Sequence, residues 1–165
     1  SDLADICIMN NGGLRSTLPK GNVTRGDIYK LMPFDNELVV VELDEKDFEG
    51  FAKLQEKFPG KMVVGDDLTV THLKRLKKAV KEKSIAAIIV KPNQIGSLLK
   101  VAKVVATAKK HNIKIIFSHR SGETMDTALS DYAVGFGADF VKMGIMGRER
   151  LVKHKRLIDI EKSLE

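Results

Sequence analysis

Residues 86–120 read AAIIVKPNQIGSLLKVAKVVATAKKHNIKIIFSHR, and this stretch decides the fold. Two short apolar, β-branched runs, Ala86–Val90 and Ile113–Phe117, flank the segment Ser97–Asn112. The apolar residues of that segment recur at helical spacing, behind a serine and ahead of an asparagine. Strand, helix and second strand within about 30 residues form the unit in which a right-handed crossover joins two parallel strands. Outward from this unit the same rhythm predicts strands at Lys61–Val64 and Ala138–Val141, with centres about every 25 residues. Helices are predicted at Glu45–Lys57, Thr71–Lys83, Thr124–Ala133 and Arg148–Ser163. Upstream the spacing changes. Strands at Asp5–Met9 and Glu37–Leu43 lie about 33 residues apart, separated by Asn10-Asn11-Gly12-Gly13, Pro19, Gly21 and a short helix at Arg25–Met32. The expected architecture is α/β: an open, mostly parallel sheet of about six strands with helices on both faces, in one compact domain over residues 1–165.

Composition narrows the function. The 165 residues include one cysteine, Cys7, and no tryptophan, and the start Ser1-Asp2-Leu3-Ala4-Asp5 is acidic. An internal disulfide is therefore impossible, no apolar run is long enough to span a bilayer, and the chain reads as cytoplasmic and unanchored. The net charge of +6 is uneven: residues 1–60 carry 7 Lys and Arg against 11 Asp and Glu, and residues 61–165 carry 21 against 11. Recognition of single-stranded nucleic acid interleaves cations with aromatic rings, and aromatics make up only 5% of this chain. Runs such as Lys74-Arg75-Leu76-Lys77-Lys78 therefore read as solvated helix faces, with no nucleic-acid partner and no membrane partner expected.

Parallel α/β folds gather their functional groups at the carboxyl ends of the strands. Four successive predicted strands end in Asp66-Asp67, in Lys91, in Ser118-His119-Arg120-Ser121 and in Lys142. A carboxylate pair beside lysines and an arginine suits a divalent cation and an anionic substrate. Each feature also has a plainer reading: Asp66 and Asp67 as helix caps, Lys91 as a solvated strand terminus, and the Ser-His-Arg-Ser run as a polar loop.

From Asp44 to Glu165 the sequence resembles the second half of the catalytic barrel of enolase, phosphopyruvate hydratase. The likeness rests on Val64-Gly65-Asp66-Asp67-Leu68-Thr69-Val70-Thr71, on Lys91-Pro92-Asn93-Gln94-Ile95-Gly96, on Ser118-His119-Arg120-Ser121-Gly122-Glu123-Thr124, and on Lys142 with Gly144, Arg148 and Arg150. The resemblance implies that Asp66 is one of three carboxylate ligands of a catalytic Mg²⁺ and that Lys91 is the base. It further implies that Ser118, His119, Arg120 and Ser121 hold the substrate phosphate, and that Lys142 neutralises the substrate carboxylate. His72-Leu73, Met125 and Met143 depart from the family's usual residues.

Residues 1–43 resemble instead the carboxyl-terminal, substrate-binding domain of 5'-nucleotidases, on Asp5–Arg15, Gly26-Asp27-Ile28-Tyr29, Leu31–Phe34 and Asn36–Leu43. This likeness implies that Arg15 binds phosphate, Asn10 makes polar contacts and Phe34 stacks on a base. Two likenesses meeting near Leu43-Asp44 imply an engineered chimera of two enzyme fragments in which neither parental site is complete. The expectation is a scaffold without native turnover that requires no cofactor. It would bind phosphate or sulfate, and at most Mg²⁺, weakly, and open sheet edges would permit a homodimer. Residual enolase activity and a nucleotide-binding module are the alternatives.

Overall fold

The strand and helix rhythm is realised in the computed structural model, which describes residues 47–144 and 146–164. The chain divides between Val41 and Glu42 into two units, and the described residues belong to the second. The expected elements at Asp5–Met9, Arg25–Met32 and Glu37–Leu43, and with them Asn10, Arg15 and Phe34, lie outside the described residues.

Among the described residues four strands follow one another: β1 (Val64–Gly65), β2 (Ala87–Val90), β3 (Lys114–Ser118) and β4 (Phe140–Lys142). All neighbouring pairs are parallel and the order is β1-β2-β3-β4, with Val90 beside Phe117 and Ser118 beside Lys142. Around them run α1 (Phe48–Lys57), α2 (Leu73–Lys81), the single turn α3 (Pro92–Ile95), α4 (Leu98–Lys110), α5 (Ala128–Gly135) and α6 (Arg148–Leu164). All four strands expected downstream of Asp44 are present, and only α3 was not foreseen. Pro92 at its first position and Gly96 in the left-handed region at its end confine it to one turn.

The crossover helices are amphipathic for a visible reason. In α4, Val101, Val104, Val105 and Ala108 repeat at i, i+3, i+4 and i+7 and are all buried. They pack with Leu76 and Ala79 of α2, Ala133 of α5, and the alternate strand residues Ile88, Val90, Ile115 and Phe117. One sheet face thus receives all three crossover helices, in place of the two covered faces expected from the sequence. A sequential strand order with right-handed crossovers demands this, since only a reversal of order carries helices to the opposite face. The result is the wall of a barrel, four strands wide.

The three helices also stop in one way. Lys83, Asn112 and Gly137 each adopt positive φ, at 53°, 56° and 61°. The next residue's N–H then bonds back five residues: Ser84 to Ala79, Ile113 to Ala108, and Ala138 to Ala133. This 6→1 closure satisfies helix-end carbonyls and turns the chain into the following strand. It recurs at the three crossover junctions, so β2, β3 and β4 emerge in step and their carboxyl ends share one rim.

Candidate functional site at the strand ends

Asp66 directly follows β1 and Lys91 directly follows β2, and in a parallel pair that places both at the same end of the sheet. Their side chains meet, with Lys91 Nζ 2.6 Å from Asp66 Oδ1. The approach is not aligned for a hydrogen bond, so the buried Oδ1 is charge-paired without an aligned donor. Asp66 does not cap α2, whose N-cap is His72 with no side-chain bond, and Lys91 is not a solvated terminus, being 14% exposed at its side chain.

A strained loop brings the two together. Val70 and Thr71 both have positive φ, a conformation that β-branched side chains rarely take. Thr71 is fully buried, and its hydroxyl donates to Gln94 Oε1 at 2.8 Å while accepting from the Lys91 N–H at 2.9 Å. The loop after β1 is thereby bonded to the loop after β2, and Lys91 is set over Asp66.

The second group of residues lies across the ends of β3 and β4. The His119 N–H donates to the Lys142 carbonyl at 2.9 Å, joining the two strand ends. Ser118 is buried and its hydroxyl donates to the His119 carbonyl, whereas Arg120, Ser121 and Lys142 are exposed. Gly144 permits a close approach here. At φ 67°, a Cβ on it would stand 2.5 Å from Arg150 Cδ and 3.3 Å from His119 Cε1. Both side chains pack where glycine leaves room.

Burial and the nearby Arg150, Lys142 and Lys153 cations hold the His119 imidazole below its ordinary value, against the pull of Glu123. Its Nδ1 is buried without a partner. A histidine kept neutral by the fold binds fewer protons folded than unfolded, so its contribution to stability is present above pH ~6.5 and is lost as pH falls below it. The unfolding free energy is therefore expected to fall between pH 7 and 5 more steeply in the native chain than in His119→Gln. Urea unfolding across that range would show it, and parallel slopes would contradict it.

Glu123 and Lys153 also belong to this rim, and sequence reading had given neither of them a role. Glu123 Oε1 accepts from the Arg120 N–H at 3.0 Å, and its Oε2 lies 2.5 Å from Lys153 Nζ. A lysine in the middle of an α-helix carries no sequence signal of burial, because most such lysines are solvated. The residues expected to share one cleft thus form two groups, Asp66 with Lys91 and His119 with Lys142. No hydrogen bond or ion pair among the described residues joins the two.

The donor set can be tested against the Mg²⁺ that the resemblance implies. A magnesium site takes oxygen ligands in octahedral geometry, commonly one or two carboxylates with the rest from water and substrate. Among the described residues no three acidic, histidine or cysteine side chains cluster. Of the two carboxylates that follow β1, Asp66 already faces an ammonium group and Asp67 is exposed. The described residues do not fit a resident Mg²⁺.

Four sequential parallel strands with crossover helices on one face, and polar groups at the carboxyl ends, define half of a βα barrel. The chain belongs to the enolase C-terminal family: residues 26–165 match the model described as enolase, C-terminal TIM barrel domain. Residues 3–48 match the 5'-nucleotidase C-terminal domain. The enolase match starts upstream of the junction expected at Leu43-Asp44, so residues 26–48 match both families.

The enolase of Sulfurisphaera tokodaii is 49% identical over 138 residues, which is 82% of this chain and 33% of that protein. The enolase of Pyrobaculum aerophilum is 45% identical over 126 residues, 75% of this chain and 30% of that protein. The enolase of Ureaplasma parvum serovar 3 is 45% identical over 123 residues, 74% of this chain and 28% of that protein. The chain spans about a third of the length of these curated relatives. No helix among the described residues is long and apolar enough to cross a membrane.

Proposed function

We propose that the chain is an enolase-like half-barrel that binds phosphate and related anions at the ends of β3 and β4, through His119, Arg120, Ser121 and Lys142, without native turnover. One observation carries this reading: Arg120 and Lys142 stand exposed beside His119 with no carboxylate paired to either among the described residues, whereas Arg150 and Lys153 are paired with Glu149 and Glu123. A rim with that surplus of positive charge, and with an exposed guanidinium and hydroxyl beside it, suits a compact oxyanion. The likeness to enolases supports the choice of a phosphorylated acid as the parental ligand. The pairing of Asp66 with Lys91 supports the absence of turnover, since the metal ligand and the base of the parental chemistry are engaged with each other.

The same reading treats the chain as a chimera, supported by matches to two unrelated enzyme domains over adjoining and partly overlapping stretches. It places the chain in the cytoplasm and allows a homodimer through β4, whose three residues are all exposed.

Titration of the whole chain with inorganic phosphate, followed by calorimetry, is expected to give saturable binding that weakens at least tenfold in Arg120→Met. That is about the loss of one charge-assisted hydrogen bond, roughly 1.5–3 kcal/mol. Incubation with 2-phosphoglycerate and MgCl₂ is expected to produce no enol absorbance. Turnover abolished by Lys91→Ala would establish residual enolase activity in place of this reading.

A further inference from the structure

We propose that Lys153 is a positioning residue for the anion-binding rim: acting through Glu123 it fixes the backbone of Arg120, and so the loop that presents Arg120 and Ser121, without reaching the anion itself. Lys153 lies in α6, yet it is 2% exposed. An ammonium group has three donors, and a buried one must place all of them. Here Nζ donates to the Thr124 carbonyl at 2.8 Å and the Glu149 carbonyl at 2.8 Å, and it pairs with Glu123 Oε2 at 2.5 Å. Two of these three partners, Glu123 and Thr124, stand in the loop that follows β3.

Glu123 divides its two oxygens between two tasks, one toward Lys153 and the other toward the Arg120 N–H. Burial pushes its carboxyl up, but Lys153 and the Arg120 N–H outweigh that and hold it below its ordinary value. The chain of contacts thus runs from α6 through Lys153 and Glu123 to the main chain of Arg120. Its far end is anchored as well, since the Ser130 hydroxyl of α5 donates to the Lys153 carbonyl at 2.8 Å. A loop of exposed residues, Arg120-Ser121-Gly122, is in this way held from beneath by a group that solvent does not reach.

The affinity readout for this role rests on the anion-binding reading above, whereas the loop readout does not. In the whole chain, Glu123→Ala is expected to speed hydrogen exchange of the Arg120 amide at least tenfold and to leave the Leu157 amide of α6 unchanged. Lys153→Met is expected to weaken inorganic phosphate binding at least tenfold. In a Glu123→Gln background, where the amide oxygen still accepts from Arg120 and no longer needs a cation, Lys153→Met is expected to change affinity less than twofold.

Equal weakening in both backgrounds would show that Lys153 acts through helix packing or its own field, and would overturn the proposal. An Arg120 amide unaffected by Glu123→Ala would overturn it too, and decides the matter should Lys153→Met fail to fold. If phosphate binding is not saturable, or survives Arg120→Met, the anion-binding reading falls and the Arg120 amide alone decides whether the clamp exists.

Discussion

Phe117→Ala is expected to lower the unfolding free energy by about 3–5 kcal/mol, the range for deleting a large aromatic from a packed core. Phe117 is fully buried in β3, between Val90 of β2 and Val141 of β4 in the ladder. Its ring stacks on Phe136 just beyond α5, with centroids 5.7 Å apart. Truncation would open a cavity where sheet and helices meet, and neither neighbouring strand can close it without breaking register. Single domains are stable by roughly 5–15 kcal/mol, so this one change removes a large share. Phe140→Ala supplies the comparison: the Phe140 side chain is 48% exposed on β4 and its loss should cost less than about 1 kcal/mol. Urea unfolding of both variants separates them, and similar losses would contradict the core described for this sheet.

The contrast between these two phenylalanines also marks what a sequence can and cannot reveal. Both sit in short apolar runs, and both runs are strands. Phe117 lies on the face the crossover helices cover, whereas Phe140, in register with Ile116, lies on the opposite face at the end of the order. Neither the covered face nor the strand order is written in periodicity. The helix ends divide in the same way. Asn112 and Gly137 are residues that tolerate positive φ, and they announce their turns, whereas Lys83 performs the same turn with no such signal.

At the rim, Asp66, Lys91, His119 and Lys142 were legible because each stands one or two residues past an apolar run. Their grouping was not legible. The contact between Asp66 and Lys91 depends on Val70 and Thr71 taking a conformation that their side chains disfavour. A strained loop of that kind follows from tertiary hydrogen bonds such as those of Thr71, and no local preference predicts it. Lys153 was hidden for a related reason, because the carboxylate that pairs with it is Glu123, thirty residues earlier in the sequence.

The largest effect at the site itself is expected from Lys91→Met, with a loss of about 2 kcal/mol in stability. Removing one member of a fully buried ion pair costs about 3–5 kcal/mol, and the partial exposure of this pair, 14% at Lys91 and 29% at Asp66, reduces that figure. The loss arises chiefly at Asp66, because Oδ1 is buried without an aligned donor and relies on the lysine charge alone. Methionine keeps the length and apolar stem of Lys91, so packing around Thr71 and Gln94 is retained while the ammonium is removed. It follows that Asp66→Asn in the Lys91→Met background should recover most of the loss, since a neutral amide no longer requires a cation beside it. If the double variant is as unstable as Lys91→Met alone, Lys91 contributes packing and its ammonium does not hold Asp66. If the recovery is found, the two residues that the resemblance to enolases would make metal ligand and base are here each other's counterion, which supports the proposal that this half-barrel is without turnover.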